Sequence, residues 1–245
     1  ICDSVGLPTP QLLGVFDPAH GRTANGKPLQ TVKDLDSWIK KNPGRDFVLK
    51  PASGERGRLV KILTALHDGN SLARAVDNRN YTPRQLYDFM TNLSELAEAC
   101  PGEPEQTPTF LIEKRLSTHP ALLPLGAETL CTLRIITLYR PQRHPCVLTA
   151  VMKLQSDSSG VDNLYQGAIA ISVDLESGKL GSGWRETRVM RDGSLQDFEY
   201  ERLTHDPKTG VALSGKSLPH WEDTLTLAVR AAKTFRWTRC IGWDI

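Results

Sequence analysis

The chain has 245 residues, of which 39% are hydrophobic and 24% are charged, and its formal net charge is +2. These proportions are those of an ordinary globular protein, and the length predicts one large domain or two lobes. Nucleic-acid-binding proteins usually carry a clear excess of basic residues, which a net charge so close to zero does not indicate. No apolar run in the sequence is long enough for a membrane span.

The cysteines bear on the compartment and on metal binding. They are scattered and include no CxxC pair, so the sequence predicts reduced, mostly buried thiols in a cytoplasmic protein rather than disulfides or a zinc site. No HExxH-type pair of histidines occurs either. The five cysteines are Cys2, Cys100, Cys131, Cys146 and Cys240.

The first half of the chain predicts two helices and a hairpin. Residues 31–41 have the pattern of a helix that is capped by a threonine and has an acid at its third position. Residues 46–51 and 58–63 are apolar runs that we expect to pair as an antiparallel hairpin around a glycine loop. A polar connection with short extended pieces follows at 67–80, and then a helix with an apolar stripe over 82–100.

From residue 109 onward the composition becomes rich in β-formers. Four runs have the length and the β-branched content of strands, namely 109–116, 132–140, 145–155 and 167–175. A turn at ESGK, a helix over 218–235 and a last strand at 240–245 follow. The whole pattern predicts an α+β protein in two lobes, with mostly antiparallel sheets and flanking helices.

Two loops are candidates for phosphate binding. Residues 210–217, GVALSGKS, match the P-loop pattern G-x-x-x-x-G-K-[ST]. A P-loop requires a buried strand before it and a helix that starts at the lysine. Here a polar, turn-rich stretch precedes the motif, and Pro219 interrupts the first turn of the helix. A turn followed by a helix start is therefore the favoured interpretation.

The second candidate, FVLKPASGERG at 47–57, places Lys50 at the end of a strand and two glycines in the turn. A surface hairpin with a solvated lysine is one interpretation, because glycine turns between strands are common. Its partners favour a phosphate site, since Glu113 follows an apolar run, Lys153 ends another strand and Asp244 lies on the last strand. Two lysines, a glycine loop and a carboxylate would clamp a magnesium triphosphate.

FVLKPASGERG followed by FLIEKRL resembles the ATP-grasp superfamily. The second half is similar to its sugar-transfer-associated branch, which is related to alpha-L-glutamate ligases. The stretches that carry this resemblance are HPALLPLGAETLCTLRIITL, VDNLYQGAIAISVDLESGKL, HDPKTGVALSGKSLPHW and IGWDI. The resemblance covers nearly the whole chain. It implies an ATP-grasp fold with a nucleotide cleft between an N-terminal lobe (1–114), which carries a glycine-rich flap, and a C-terminal lobe (115–245).

The resemblance implies roles for two lysines and for the flap. Lys50 looks like the nucleotide-contacting lysine that precedes the glycine-rich loop, and Lys153 looks like the basic residue that reaches the phosphates from the second lobe. Ser53, Gly54 and Gly57 would form the flap that closes over the phosphates. A strand-end lysine with a solvated head is the alternative for each lysine.

The resemblance also implies contacts to adenine and to the metal ion. Glu113 would accept a hydrogen bond from the adenine amino group, and the backbone of Lys114, Arg115 and Leu116 would meet the edge of the ring. Asp244 resembles the first magnesium carboxylate. The alternatives are a surface pair of Glu113 with Lys114, and a turn-capping role for Asp244.

Three further polar residues are candidates. Arg134 lies between apolar neighbours and therefore needs a partner. That partner would be a phosphate or an acidic substrate, which would make Arg134 catalytic together with Lys153, or the carboxylate of an internal salt bridge. Asp162 and Asn163 would contact the acceptor or a phosphate, or form a plain Asx turn.

The chain departs from the superfamily pattern at both ends. The remaining metal ligands of the superfamily form a Glu-x-Asn motif on a strand after the last one here, and this motif does not occur in the chain. A further lysine usually precedes the segment at which Ile1 begins. We therefore expect that the C-terminal lobe is truncated and that both ends are cut.

The predicted activity is that of an ATP-dependent ligase with ATP and Mg²⁺. The ligase would join a carboxylate, carried by a small molecule, a peptide or a sugar, to an amine or a related nucleophile through an acyl phosphate. The branch resemblance implies a role in cell-surface polysaccharide or peptide modification. The alternatives are a phosphotransferase on the same fold and a non-catalytic nucleotide-binding or assembly module.

Overall fold

The computed structural model describes residues 2–53, 57–68, 70–92, 94–95, 108–125, 130–155, 168–191 and 194–245. The chain divides into two compact units. The first unit is Pro10–Leu116, and the second unit combines Ile1–Thr9 with Ser117–Ile245. The domain division at residue 114 stays a prediction, because compactness does not show that each part folds by itself.

The first unit is built on a seven-stranded antiparallel sheet with the order β2-β1-β7-β3-β4-β5-β6. Its strands are β1 (Leu12–Phe16), β2 (Arg22–Thr23), β3 (Asp46–Pro51), β4 (Lys61–Asp68), β5 (Asn70–Ala75), β6 (Asn80–Tyr81) and β7 (Phe110–Lys114). The predicted hairpin around the glycine loop is confirmed, because β3 and β4 pair in antiparallel fashion. The extended pieces predicted in the polar connection at 67–80 are the end of β4, the whole of β5 and the first residue of β6.

Helix α1 (Val32–Lys40) begins at the threonine that the sequence predicts as its cap. The hydroxyl of Thr31 accepts a hydrogen bond from the N–H of Asp34 (3.2 Å), and the carboxylate of Asp34 accepts one from the N–H of Thr31 (3.0 Å). This capping box satisfies two donors that a helix start otherwise leaves without partners. The buried residues of α1 are Leu35, Trp38 and Ile39.

Helix α2 (Pro83–Met90) has the predicted Thr-Pro start but is shorter than the helix predicted over 82–100. The hydroxyl of Thr91 bonds back to a carbonyl one turn earlier (2.9 Å). The side-chain oxygen of Asn92 then accepts from the N–H of Glu95 (3.5 Å), which is the geometry of a new helix cap. The continuous helix is therefore broken after Met90, and most of the remaining predicted stripe lies outside the described residues.

The second unit contains a six-stranded antiparallel sheet with the order β12-β11-β10-β9-β8-β13. Its strands are β8 (Thr132–Leu138), β9 (Cys146–Leu154), β10 (Ile169–Val173), β11 (Leu180–Arg191), β12 (Ser194–Leu203) and β13 (Cys240–Asp244). Short 3-10 turns lie at Asp3–Val5 and Pro120–Leu125. The predicted α+β class with antiparallel sheets is confirmed.

Helix α3 (Trp221–Thr234) packs against β8 and β9 and covers one face of this sheet. Ile135 and Met152 are fully buried in a core cluster that also contains Ala228 of α3. Because side chains alternate along a strand, the neighbouring Arg134 and Lys153 point to the opposite face. Among the described residues, no helix is long and apolar enough to cross a membrane.

The prediction of mostly buried cysteines is wrong for the residues that the structure describes. Cys2 and Cys131 are half-buried, Cys146 and Cys240 are exposed, and all four are free thiols. The two exposed cysteines begin β9 and β13, on either side of the last residue of β8, where the sheet ends. Cys100 lies outside the described residues.

Candidate functional site

In the first unit, two charged candidates lie on neighbouring strands. Lys50 is on β3 and Glu113 is on β7, and the strands pair with Val48 opposite Glu113 and with Lys50 opposite Leu111. The Nζ atom of Lys50 lies 2.7 Å from Oε2 of Glu113. Since Leu49 is buried in the helix-covered core, alternation along β3 places Lys50 on the face of the sheet away from α1 and α2.

This ion pair argues against one of the two interpretations of Glu113, the surface pair with Lys114. Its side chain is 13% exposed and pairs with Lys50, rather than forming a surface pair with Lys114. A carboxylate has about four acceptor positions. Glu113 can therefore hold the lysine and still accept a hydrogen bond from an amino group.

Lys114 is the last residue of β7, and Arg115 and Leu116 lie beyond the strand. The N–H of Lys114 donates to the carbonyl of Gln11 (2.8 Å), and the N–H of Arg115 donates to the carbonyl of Asp46 (3.5 Å). Leu116 follows with 45% of its surface exposed. Two of the amides that were candidates for the adenine edge therefore already hydrogen-bond within the unit.

The predicted flap is described only in part. Ser53 is exposed. Gly57 has a φ of 68°, in the left-handed region that favours glycine. Gly54 lies outside the described residues, as do the other two loop candidates, Asp162 and Asn163.

In the second unit, three charged candidates meet on the face of the sheet opposite α3. Arg134 on β8 and Asp244 on β13 are directly paired. The Nε and Nη2 atoms of Arg134 donate to the two oxygens of Asp244 at 2.6 and 2.8 Å. The Nζ atom of Lys153, on β9, lies 3.1 Å from Oδ1 of Asp244. We call these three residues the Asp244 cluster.

The electrostatics of the Asp244 cluster favour the charged carboxylate. Burial opposes ionisation of Asp244, but the hydrogen bond from Arg134 and the charge of Lys153 outweigh it, so the pKa of Asp244 lies below its ordinary value. Lys153 is only 8% exposed, unlike a strand-end lysine with a solvated head. Two cationic side chains therefore contact one carboxylate on this face of the sheet.

The local sequence GWD accounts for the position of Asp244. Trp243 points to the α3 side, where its indole N–H donates to the hydroxyl of Thr137 (2.8 Å), so Asp244 points to the opposite face. Gly242 leaves room for the arginine, because a Cβ at this position would lie 3.1 Å from Cδ of Arg134. Asp244 is therefore part of a strand and does not cap a turn.

Asp244 fits one ligand position of a magnesium ion. The described contacts place two donors on Oδ1 and one on Oδ2, which leaves about one acceptor position of the carboxylate. Mg²⁺ usually keeps several waters and binds one or two carboxylates together with substrate phosphates. Within the described ranges, no group of three or more His, Cys, Asp or Glu side chains would hold a metal by itself.

The segment 210–217 lacks the geometry of a P-loop. The N–H of Gly215 donates to the carbonyl of Leu180 (2.8 Å), so this amide does not point into a phosphate nest. Helix α3 begins only at Trp221, five residues after Lys216, so no helix N-terminus lies at the lysine. The interpretation as a turn before a helix is confirmed.

A pocket of about 550 Å³ lies elsewhere in the first unit, between β1, β2 and the side of α1. Its lining includes Trp38, Lys41 and Arg45 but none of the candidate site residues. The pocket is on the helix-covered side of the sheet, whereas Lys50 is on the other side. It is therefore separate from the candidate nucleotide residues of this unit.

One buried polar residue beside the Asp244 cluster was not predicted. Gln155 follows Lys153 by two positions and is 5% exposed. The signal for it is the alternation in MKLQ, in which polar residues at 153 and 155 are separated by the fully buried Leu154. A buried amide requires hydrogen-bond partners and is therefore held in one orientation.

Comparison with known proteins identifies the family. The sequence model of the sugar-transfer associated ATP-grasp family matches residues 1–245, which is the whole chain. No curated protein and no solved structure matches the chain. The described antiparallel sheets and the full-length match agree, and the chain belongs to the sugar-transfer associated ATP-grasp family.

Proposed function

We propose that this protein is an ATP-dependent ligase that joins a carboxylate to an amine or a related nucleophile such as a thiol. The observation that carries the proposal is the Asp244 cluster, in which Arg134 and Lys153 hold one carboxylate from two sides. Arginine and lysine side chains that are held in place in this way would stabilise the charge that develops on a transferred phosphoryl group. The family match makes ATP the expected phosphoryl donor.

The candidate residues of the first unit would contribute contacts to the nucleotide in this proposal. Lys50 would contact the phosphates, and Glu113, which lies 2.7 Å from it, would accept from the adenine amino group. Of residues 114–116, we expect Leu116 to meet the adenine ring, because the N–H groups of Lys114 and Arg115 already have acceptors. Ser53, Gly54 and Gly57 would cover the phosphates.

The proposed chemistry has two steps. An oxygen of the substrate carboxylate attacks the γ-phosphorus, the bond to the β,γ-bridging oxygen breaks, and ADP leaves with an acyl phosphate formed. The nitrogen of the amine then attacks the acyl carbon, the bond to the phosphate oxygen breaks, and the amine loses a proton. Arg134 and Lys153 would neutralise the transferred phosphoryl group, and the substrates would be held in line.

Magnesium would be the metal of this reaction. Asp244 would hold it through its remaining acceptor position, with the other ligands supplied by waters and ATP oxygens. When bound, the ion supplies charge neutralisation on the phosphates. The protein's own part is to orient Asp244, and Arg134 does so through two hydrogen bonds.

The proposal extends to the setting of the reaction. The family description, sugar-transfer associated, favours a carboxylate or an acceptor that belongs to a saccharide or a peptide of the cell surface. Because ATP is the co-substrate, modification would take place in the cytoplasm.

Product analysis tests the proposal and separates it from the phosphotransferase alternative. The protein is incubated with Mg-ATP and mixtures of carboxylates and amines, and the products are analysed by mass spectrometry. A ligase gives ADP, free phosphate and a conjugate whose mass is that of both substrates less one water. ADP together with a stable phosphorylated substrate and no free phosphate would identify a phosphotransferase and contradict the ligase proposal.

A further inference from the structure

The face of the sheet that carries the Asp244 cluster continues across three more strands. Directly paired residues share one face of a sheet. The pairs Lys153↔Ala170, Ala170↔Trp184 and Trp184↔Arg202 form one row across β9, β10, β11 and β12. Because neighbouring strands are about 4.8 Å apart, Trp184 lies two strands, or about 10 Å, from Lys153.

The far end of this row is an exposed patch with aromatic and polar groups. Trp184 is 44% exposed and Tyr200 is 64% exposed. The guanidinium of Arg202 lies beside them and donates from Nε and Nη2 to the hydroxyl of Ser182, at 3.1 and 2.8 Å. We call Ser182, Trp184, Tyr200 and Arg202 the aromatic patch.

The aromatic patch lies on the opposite side of the sheet from the core. Gly183, next to Trp184, faces the core, because a Cβ there would lie 2.7 Å from Ile169 and 2.8 Å from Leu213. Helix α3 covers that side and not the side of the patch. Between Lys153 and Trp184 the row contains only the small side chain of Ala170, so a ligand can extend over it.

We propose that the aromatic patch binds the sugar rings of a carboxylate-bearing oligosaccharide, which is the substrate of the proposed ligase reaction. This inference rests on the proposed function, because the carboxylate end would lie at the Asp244 cluster. The separation of about 10 Å corresponds to roughly two sugar rings. Trp184 offers a flat apolar surface for the C–H face of a pyranose, and Arg202 with Ser182 offers hydrogen bonds to its hydroxyls.

Other occupants fit the aromatic patch less well. Two copies of the edge strand β12 that paired in antiparallel fashion about Tyr200 would bring Glu199 opposite Glu201, and like charges in that position are destabilising. A peptide that added as a strand would pair along β12 and would not use Trp184, which is on the inner strand β11. A saccharide that lies across the strands would contact the rings of both Trp184 and Tyr200.

Calorimetric titration with defined saccharides tests the proposal. The probes are tetragalacturonate, which has a carboxylate on every ring, and the neutral cellotetraose. We expect tetragalacturonate to bind the full chain in the presence of Mg-ATP and to bind about tenfold more weakly to Trp184→Ala. Tyr200→Ala should also weaken binding, and Trp184→Phe, which keeps an aromatic face, should retain most of the affinity.

The matched control is Trp237→Ala, because Trp237 is 71% exposed in the same unit but follows α3 and lies outside the row. This variant should bind tetragalacturonate as the unchanged protein does. Equal affinity of Trp184→Ala and the unchanged protein would overturn the proposal, and so would the absence of tetragalacturonate binding. Trp184-dependent binding of the peptide Glu-Tyr-Glu-Tyr in place of the saccharide would overturn the sugar assignment.

A failure of the saccharide proposal can be distinguished from a failure of the proposed ligase function. Trp184 is not part of the ATP-binding residues, so Trp184→Ala should bind Mg-ATP with unchanged affinity. A chain that binds tetragalacturonate through Trp184 but does not bind ATP would contradict the ligase proposal alone. If the unchanged chain and Trp184→Ala bind Mg-ATP equally and also bind tetragalacturonate equally, this inference alone is contradicted.

Discussion

At the scale of single residues, the two lysines of the candidate site are already paired with carboxylates. Lys50 lies 2.7 Å from Glu113, and Lys153 lies 3.1 Å from Asp244. A free lysine side chain loses about 1.5–2 kcal/mol of rotamer entropy when a ligand orders it. Because these carboxylates already hold the ammonium groups, a phosphate would meet charges that are partly positioned.

The pH dependence of folding tests the described role of Asp244. Its pKa is lower in the folded chain, so its pair contributes stability above the ordinary pKa of a carboxyl, near 3.9, and loses it as pH falls through the folded value. Asp244→Asn should therefore be less stable than the unchanged chain at neutral pH. The two free energies of unfolding should converge as the pH is lowered below about 4. Urea denaturation measures both free energies between roughly pH 6 and pH 3, the range that this titration spans. A difference between the two proteins that stays constant over this range would contradict the paired state.

At the scale of elements, the sequence predicts best those features that depend on neighbouring residues. The starts of α1 and α2 follow from Thr-x-x-Asp and Thr-Pro-x-Gln, whose capping contacts span three positions. The sequence predicts β5 only as a short extended piece, because its buried position is Ala73, opposite Ala65 of β4, and alanine gives little β signal. The end of α2 was missed because Thr91 and Asn92 interrupt a helix whose apolar pattern continues.

The cap of α1 provides a test of local stability. Thr31→Ala removes the acceptor for the N–H of Asp34 and should lower the free energy of unfolding by about 1 kcal/mol. Urea denaturation measures the difference. Thr31→Ser keeps the hydroxyl and serves as the matched control, so a loss of similar size in both variants would argue against the capping contact as the cause.

The segment 210–217 provides a test of the rejected P-loop. Lys216→Ala should leave the affinity for Mg-ATP unchanged, because the amide of Gly215 is bonded to Leu180 and no helix starts at the lysine. Calorimetry with Mg-ATP measures this directly. Loss of nucleotide binding in Lys216→Ala, with Lys50→Ala unaffected, would show that the phosphates bind at the other loop.

At the scale of the whole molecule, the sequence predicts the members of the site but not their partners. Arg134 and Asp244 are 110 positions apart and meet only because β13 pairs with β8 in one register. The sequence left Arg134 open between a ligand and a salt bridge, because register over such a separation depends on the packing of the sheet against α3. The family resemblance, by contrast, depends on motifs along the whole chain, and the match over residues 1–245 confirms it.

Binding of Mg-ATP to the full chain is the measurement that most directly tests the proposed function. Lys50→Ala removes the charge beside Glu113 and should weaken binding by about 1.5–3 kcal/mol, the range of a charge-assisted hydrogen bond. That corresponds to a roughly ten- to hundredfold higher Kd. The matched control is Lys40→Ala, which removes a lysine paired with Asp36 at 2.6 Å on α1, away from the site. We predict a weaker Kd for Lys50→Ala and an unchanged Kd for Lys40→Ala. Equal affinity of a folded Lys50→Ala and the unchanged protein would contradict the proposed ATP site.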